Sequence, residues 1–595
     1  QKNIEFEVVF QGNAFPKKTN TLEDFLNVIK RLQTLDYNFI NKGTETLDIF
    51  ILNNNPIRVT LDKEQIIPFC KLNKLNESSI TEILLKQNIK NETRLVNNQY
   101  NFVVNMKQEI PFDNIDFKKN INSEDYKNQF FNEHFSFIEK RFRHKKRYSF
   151  ITKDGNFQID LTIVRQSQGT SIYESNLFNK SKNYEIEIEY IGKKFTTSQS
   201  DNDRQSLIGK LMKLLKINIT YILQVIQNSF YIISNSEKET VSTVFQSLLR
   251  SIYTKRKKTK INKLTEFLKW TRKQKNINFF EETTISKYFK SHKSPFYIQE
   301  LYNNLKQINK RKKLSIEIIC NKIESLIQYI SNYSITKKKH SIGFKPNTLI
   351  MNNLNKEEEI NILKNYTVTD KAEGEGKLLY ILGSNHLSLE NINNKQEIMN
   401  LVGKIYMIDK HSITYTGIKI DMNMKISNCI MNGEFMKLNK SKQYINRYLA
   451  YDLYYCNTVD YHEMPLLLIK GINCRIKKLN TIIKKIKSNK SNKYFSITLK
   501  KFYIGNDIFK LSKKVLYDTN INYKLDGLIY TPAFSPVGYD EQNLYNSIDS
   551  IKINNYDLTF DRTWNSNLKW KDSSDNSIDF KIKYVQENNK DLILT

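Results

Sequence analysis

The sequence predicts an α+β protein with a strand-rich N-terminal region, a helical middle and a second strand-rich region. Three observations carry this. Acidic and apolar residues alternate with period two at Ile4–Phe10 and again at Tyr184–Tyr190, the spacing of a strand with one polar face. Between residues 205 and 329 apolar residues recur at helical spacing instead. Beyond residue 345, short apolar stretches return, each bearing one or two charged side chains.

The totals agree. A chain of 595 residues suggests about two to four domains. Its 39% hydrophobic and 12% aromatic residues are enough for real cores and exclude a disordered chain. A net charge of +31 draws in polyanions and points to RNA, DNA or nucleotides as partners, although an AT-rich genome would also inflate lysine. The five cysteines (Cys70, Cys320, Cys429, Cys456 and Cys474) are far apart and contain no CxxC pair. Neither a zinc site nor a disulfide framework is expected, and a reducing, cytoplasmic setting is. No apolar run is long enough for a transmembrane helix, so no membrane partner is expected. Gln1–Phe10 does not read as a signal peptide.

In the first region, Glu5 and Glu7 share one strand face, and Glu185, Glu187 and Glu189 line one face of a later strand. A one-sided surface sheet gives the same alternation. Between the two lie strands mixing basic and apolar residues, Lys145–Phe150 and Phe157–Arg165. Two like charges about 4 Å apart repel by about 4 kcal/mol at an effective dielectric of 20, so five converging glutamates need a cation among them. Carboxylate oxygens suit a divalent metal, and facing arginines and lysines suit phosphates.

These paired Glu-x-Glu strands, with the Ile159-Asp160-Leu161-Thr162 element between them, resemble the triphosphate tunnel metalloenzymes over roughly residues 1–200. The resemblance implies an eight-stranded antiparallel barrel with a hydrophilic interior. It implies Mg²⁺ or Mn²⁺ held by Glu5, Glu7, Glu187 and Glu189, with Glu185 in the same row and available to orient water. Lys145, Arg147 and Arg165 would contact phosphates.

The middle, residues 205–344, reads as a basic helical connector. Leu207, Ile208, Leu211, Leu214 and Leu215 repeat at helical spacing, as do Val241, Phe245, Leu248, Leu249 and Ile252. Lysine-rich runs at 255–258, 310–313 and 337–339 read as solvated faces, an RNA-contacting patch or a surface that docks another protein.

The second strand-rich region opens at Thr369–Lys377. One lysine, Lys371, is followed by Gly374 and Gly376 between two apolar strands. The plain expectation is a β-hairpin with a solvated lysine. The chemical one is an amine on a tight loop that approaches a phosphate, its protonation lowered by nearby cations so that it can attack phosphorus. Downstream follow a strand ending in a turn at Glu434, an aromatic strand bearing Asp452, Asp526 before an apolar strand, and Lys569 with Lys571 on one strand face.

This order resembles the covalent nucleotidyltransferases, the mRNA guanylyltransferases and ATP-dependent ligases, over roughly residues 345–582. The resemblance implies that Lys371 is the nucleophile and that Glu434 and Asp526 hold metal. Glu373, Lys377, Asp452, Lys569 and Lys571 would contact the nucleotide. Glu373 stands where the family often has Asp, Gly376 where many members have Arg, and Asn432 where Asp is usual. Residues 578–581 resemble the passage towards an OB-fold domain, with 583–595 as its start or a tail. That domain and its last motif are expected in further sequence or in an accessory protein. Cap methylation is likewise expected from elsewhere, since no glycine-rich cofactor loop follows a strand.

A tunnel domain (1–204) ahead of a connector (205–344) and a nucleotidyltransferase domain (345–582) resembles the mRNA capping enzymes of poxviruses and yeast cytoplasmic linear plasmids. It implies 5′-triphosphate RNA and GTP as substrates, with RNA polymerase and a cap methyltransferase as protein partners. An ATP-dependent RNA or DNA ligase, labelled through a lysyl-AMP, and a non-catalytic basic subunit of a transcription complex are the alternative readings.

Overall fold

A computed structural model describes residues 4–593, apart from 13–18, 52–56, 77–79, 89–93, 112–129, 132, 193–200, 293–295, 333–342, 359, 384–394, 469–472, 489–494, 539–561, 573–583 and 588–589. The lysine run at 337–339 and the segment 578–581 lie outside the described residues. The chain forms two compact units, Gln1–Lys238 and Glu239–Thr595, so the helical middle is shared between them rather than standing as one piece.

The first unit is the expected barrel. Its strands are β1 (Ile4–Phe10), β2 (Asn38–Ile51), β3 (Ile57–Asp62), β4 (Glu82–Asn88), β5 (Arg94–Asn97), β6 (Phe102–Pro111), β7 (Lys140–Ile151), β8 (Phe157–Gly169) and β9 (Asn183–Tyr190). They run in the order β1-β9-β8-β7-β2-β3-β4-β6, and β1 pairs antiparallel with β6 to close an eight-stranded ring; β5 hangs on β6. Closure removes the unpaired edges an open sheet would expose. Gly43 sits at a bulge in β2 with φ +113°, a backbone conformation that side-chain-bearing residues rarely adopt.

The barrel is apolar outside and charged inside, because alternate residues point to opposite faces. Outward-facing Val8, Phe10, Ile159, Leu161, Ile186 and Ile188 are covered by two helices. One is α1 (Leu22–Thr34), through Phe25, Val28 and Leu32. The other is α3 (Asp201–Ile226), through Leu215, Ile222 and Leu223. Thr21 and Asp24 form a reciprocal capping box that starts α1. On another side α2 (Lys63–Leu72) covers Leu47, Ile49, Val59 and Leu61 with Ile66 and Phe69. Each such side chain contributes on the order of 2 kcal/mol when fully buried, so these helices hold the outer wall and leave the lumen free for polar chemistry.

The second unit begins within helix α4 (Asn235–Thr271), followed by α5 (Glu282–His292), α6 (Phe296–Arg311) and α7 (Ile316–Asn332). Leu264, Phe267, Tyr288, Leu305, Ile319 and Ile323 form the core of this helical part. Two sheets follow. One holds β10 (Phe344–Thr348), β20 (Arg562–Trp570), β19 (Leu525–Pro532) and β11 (Tyr366–Ala372), in that order. The other holds β14 (Ile413–Lys419), β13 (Lys404–Ile408), β12 (Glu375–Ile381), β15 (Cys429–Leu438), β16 (Tyr444–Cys456) and β17 (Val459–Asp460), with β18 (Ser496–Leu499) parallel to β16. Helix α8 (Arg475–Ser488) packs on β16, and α9 (Ile508–Leu516) on β11. Tyr584–Glu587 and Lys590–Ile593 form a separate two-stranded hairpin.

Two local expectations are corrected here. The strands either side of the lysine loop are not a hairpin: β11 pairs with β19, and β12 pairs with β13 and β15, so the chain crosses from one sheet to the other just after Lys371. Glu434 does not end a strand at a turn. It sits mid-strand in β15, paired to β12 through Gly376 and to β16 through Leu449.

Candidate active sites

The barrel lumen gathers charge from every wall. Cross-strand register sets Glu7 beside Glu189, Glu187 beside Asp160 and Glu185 beside Thr162, all on the inner face. Arg143, Lys145 and Arg147 project inward from β7 on the same parity. The Arg143 Nη2 donates to both oxygens of Glu185 at 2.8 Å, Lys145 pairs with Asp48 at 2.6 Å and Arg147 with Asp160 at 3.1 Å. Glu7 accepts from Asn105 at 2.9 Å and Lys107 at 3.3 Å. Burial alone would raise the Asp48 carboxyl, but Lys145 and Arg58 hold it below its ordinary value.

Glu187 and Glu189 are not compensated in this way. Burial, then Glu185 and Glu7, raise Glu187 to about 7. Burial, then Glu5 and Asp160, raise Glu189 to about 7. Arg147 and Arg143 pull the other way but are outweighed at this pair, and its donors are hard carboxylate oxygens, as a Mg²⁺ or Mn²⁺ ion requires. Among the described residues, no three acidic, His or Cys groups converge as a ready metal cage. Chemical character fits the ion, and Glu7 would have to give up Lys107 to take it.

Arg165 is a correction. It stands opposite His144, one residue out of phase with Thr162 and Val164, so it projects from the outer face of β8 and cannot meet a phosphate in the lumen. Glu185 is paired with Arg143 and remains partly exposed.

In the second unit a cavity of about 270 Å³ is walled by both sheets. Lys345, Lys371, Glu434, Asp452, Lys500 and Lys569 supply its charge; Phe344, Tyr451, Tyr454, Phe502 and Trp564 supply aromatic walls. Lys371 falls at a register shift between Asp370 and Ala372, so a bulge aims it out of the β11 ladder. Its Nζ bonds the Asp526 carboxylate, whose other oxygen takes Lys571 at 3.0 Å. Burial alone would raise the Asp526 carboxyl, but these two lysines hold it low. Glycines permit the approach. A Cβ at Gly374 would lie 2.5 Å from the Met436 sulfur, and one at Gly527, where φ is +113°, would lie 1.9 Å from the Trp570 carbonyl oxygen. Gly376 meets no such restriction.

Glu434 binds Lys500, a fully enclosed ammonium, at 2.5 Å; Lys500 also donates to the Asp370 carbonyl at 3.0 Å. Burial would lower that ammonium, but Glu434 and Asp370 raise it, so it stays charged. Asp452 takes the buried Arg475 guanidinium at 2.7 Å. Glu373 and Lys377 do not line the cavity. Glu373 pairs with Lys524 at the surface, 2.7 Å away, and Lys377 is locked to Asp409 at 2.8 Å and Glu375 at 3.0 Å. Their expected nucleotide contacts are corrected accordingly: the β13–β14 turn, which carries Asp409, already occupies Lys377.

The structure thus brings Lys371, Glu434, Asp452 and Lys569 to one cavity and joins Asp526 and Lys571 to it through the Lys371 amine. Reading the sequence missed Lys500, Arg475, Arg143 and Asp48. The first two are buried cations whose partners lie at distant positions, and nothing in their neighbouring residues marks them. Arg143 and Asp48 share the inward parity of Lys145, and that phase would have found them once the strands were paired.

Comparison with known proteins bears on both units. Residues 309–545 match the family model described as mRNA capping enzyme, catalytic domain. A probable mRNA-capping enzyme of Acanthamoeba polyphaga mimivirus is 22% identical over 647 aligned positions, covering 98% of this chain and 41% of that protein. The chain therefore spans under half the length of the curated relative it matches. The RNA triphosphatase domain of a trifunctional mimivirus capping enzyme aligns with 38% of this chain and 90% of its own, at 22% identity and a TM-score of 0.25. The S. pombe RNA triphosphatase Pct1 aligns with 37% of this chain and 84% of its own, at 14% identity and a TM-score of 0.24. The family match takes in Lys371, Glu434, Asp452 and Asp526 but stops before Lys569 and Lys571. Over residues 309–545, then, the chain is similar to the catalytic domain of the mRNA capping enzymes.

Proposed function

We propose that the chain removes the γ-phosphate from 5′-triphosphate RNA in its barrel and transfers GMP to the resulting diphosphate end in its second unit. The observation that carries this reading is the Lys371 amine, held by Asp526 at a cavity that also presents Glu434, Lys500 and Lys569.

In the barrel, Glu5, Glu7, Glu187 and Glu189 would hold the metal, while Lys145, Arg147 and Arg143 hold phosphate oxygens. A bound divalent ion would neutralise the triphosphate and withdraw charge from the bond that breaks. Water adds to the γ-phosphorus, the bond to the β-bridging oxygen breaks, and phosphate and diphosphate-ended RNA leave. Fixed cations around the lumen stabilise the charge that develops, with little reorganisation.

In the second unit the Lys371 ammonium first gives up one proton; its nitrogen then bonds the α-phosphorus of GTP and loses a second, while the α–β bridging bond breaks and pyrophosphate leaves. The terminal oxygen of diphosphate RNA then displaces the lysine, which recovers both protons. Lys371 must first leave Asp526, so Asp526 and Glu434 are the groups to take the metal, and Lys569 faces the α-phosphate. Lys571 stays with Asp526 and keeps that carboxylate ionised. Protein partners fall to RNA polymerase and a cap methyltransferase. A cytoplasmic, reducing location accords with five free cysteines.

Incubation with α-labelled GTP, beside ATP, is the test. Labelled protein with GTP, stable to alkali, labile to acid and absent in Lys371→Ala, is expected. Labelling by ATP alone would transfer the reading to a ligase, and a labelled Lys371→Ala would remove Lys371 from it.

A further inference from the structure

A side chain of the helical part contacts a histidine that packs on the cavity wall. Arg256, midway along α4, reaches Asp460 at the end of β17. Its Nε and Nη2 bind both oxygens of Asp460, Nη2 at 2.7 Å, and the same Nη2 lies 2.6 Å from Nδ1 of His462. The guanidinium and its carboxylate are only 15% and 20% exposed. A bidentate arginine in that setting is a fixed geometric element rather than a mobile surface pair.

Arg256 can only donate, so the Nδ1 it faces accepts, which puts the imidazole proton on Nε2, a buried atom with no hydrogen-bond partner among the described residues. Asp460 and the Tyr454 carbonyl pull the other way: Oδ1 is 3.3 Å and the carbonyl oxygen 3.4 Å from that same Nδ1, and both would favour a proton there. Asp460 also accepts the His462 backbone N–H at 3.1 Å. Arg256 therefore decides which tautomer the ring adopts. Burial, then Arg256, push the imidazole below its ordinary value, against the pull of Asp460 and Asp452, which keeps it neutral.

What His462 touches is the cavity wall. Its ring lies 4.4 Å from the ring of Tyr454, tilted by 31°. The Tyr454 hydroxyl accepts from Asn432 Nδ2 at 2.6 Å, and Tyr454 and Asn432 both line the cavity that holds Lys371. The helix is held against this sheet at further points: Phe245 lies 5.1 Å from Tyr380, and Lys255 donates to the Thr458 carbonyl at 3.4 Å.

We propose that Arg256 is a positioning residue for the nucleotide cavity, acting through the orientation of His462 on Tyr454 and Asn432. The helical part is thereby a piece of the nucleotidyl-transfer unit rather than a passive connector. This rests on the nucleotide reading of the cavity. Arg256 touches no substrate, so its loss acts on how well the wall is set for a nucleotide. Lys371 and Glu434, which stand on β11 and β15, keep their own partners.

The test compares wild type, Arg256→Ala and Arg256→Lys as full chains. Arg256→Ala should raise the GTP concentration for half-maximal Lys371 labelling roughly tenfold, the equivalent of one charged hydrogen bond, with the maximal rate held within about twofold. Arg256→Lys should recover part of this, since an ammonium pairs with Asp460 but cannot span both oxygens and the ring. Nitrogen NMR of the imidazoles, assigned by His462→Gln and recorded without nucleotide, should show Nδ1 of His462 unprotonated in wild type and protonated in Arg256→Ala. Should Arg256→Ala not fold, Arg256→Lys and His462→Gln carry the same comparison. An unmoved half-saturation, or a loss confined to the maximal rate, overturns the proposal. Wild type without any adduct defeats the transfer reading instead; the tautomer measurement then decides the Arg256 assignment alone.

Discussion

Divalent-ion binding by the barrel should depend steeply on pH, and the lumen sets how steeply. Glu187 and Glu189 each sit at about 7, raised from 4.5. A metal binds only the ionised carboxylate, so each group divides the affinity by one plus its protonated-to-ionised ratio. That divisor is roughly 11 at pH 6 and roughly 1.1 at pH 8, a factor of about ten per group and on the order of a hundred for the pair. Repulsion between the two spreads the change over a wider range without altering its direction. The same shifts act on folding. A carboxyl raised on folding contributes stability below pH 4.5 and loses it as pH rises through about 7, on the order of 3 kcal/mol per group in the metal-free chain. Bound metal should return that stability at pH 8. Calorimetric titration of Mn²⁺ at pH 6, 7 and 8, in two buffers of different ionisation enthalpy, reads affinity and protons released together. The double variant Glu187→Gln/Glu189→Gln should flatten the profile, because Asp526 in the second unit is held low and does not titrate in this window. Wild-type affinity constant within threefold from pH 6 to pH 8, with no protons released, would refute the reasoning.

Three further outcomes are expected. Glu187→Ala should abolish phosphate release from triphosphate RNA while leaving GTP labelling of Lys371 intact, and loss of both activities would argue against two separate sites. Arg475→Met should cost about 3–5 kcal/mol in a urea melt, because it leaves the Asp452 carboxylate buried without its cation; a cost under 1 kcal/mol would show that pair to be dispensable. Gly527→Ala should destabilise by more than about 1 kcal/mol, since alanine meets both a positive φ and the Trp570 carbonyl. It should also lose labelling, as Asp526 is the adjacent residue.

The acidic strand faces were legible because their determinants are local, whereas closure into a barrel followed only from the resemblance. Period two along β1 and β9 separates the acidic lumen from Val8, Ile186 and Ile188 without knowledge of any partner strand. The lysine loop was legible for a similar reason: Lys371 with Gly374, and separately Asp526 with Gly527, each carry a signal within a few residues. Partner choice is another matter. Whether Arg165 faces in or out depends on phase within β8, which one basic residue among many does not declare. Lys377 looked available until β13 and β14 brought Asp409 to it from 32 positions away.

That difference also explains why the helical segment read as a connector. Arg256 stands in a run of four basic residues, and in isolation such a run describes a solvated face. Asp460 and His462 lie more than 200 positions downstream, in a short hairpin with no periodicity to mark it. A buried charge costs stability unless paired, so a single arginine sunk into a sheet implies a carboxylate waiting for it; a repeat of four implies nothing about which one sinks. Lys255 and Lys257 of the same run end on backbone carbonyls, and only the guanidinium binds a carboxylate and a ring nitrogen together. The planar fork, not the local charge density, sets the role of that position, and an arginine-to-lysine exchange there is the substitution that separates the two explanations.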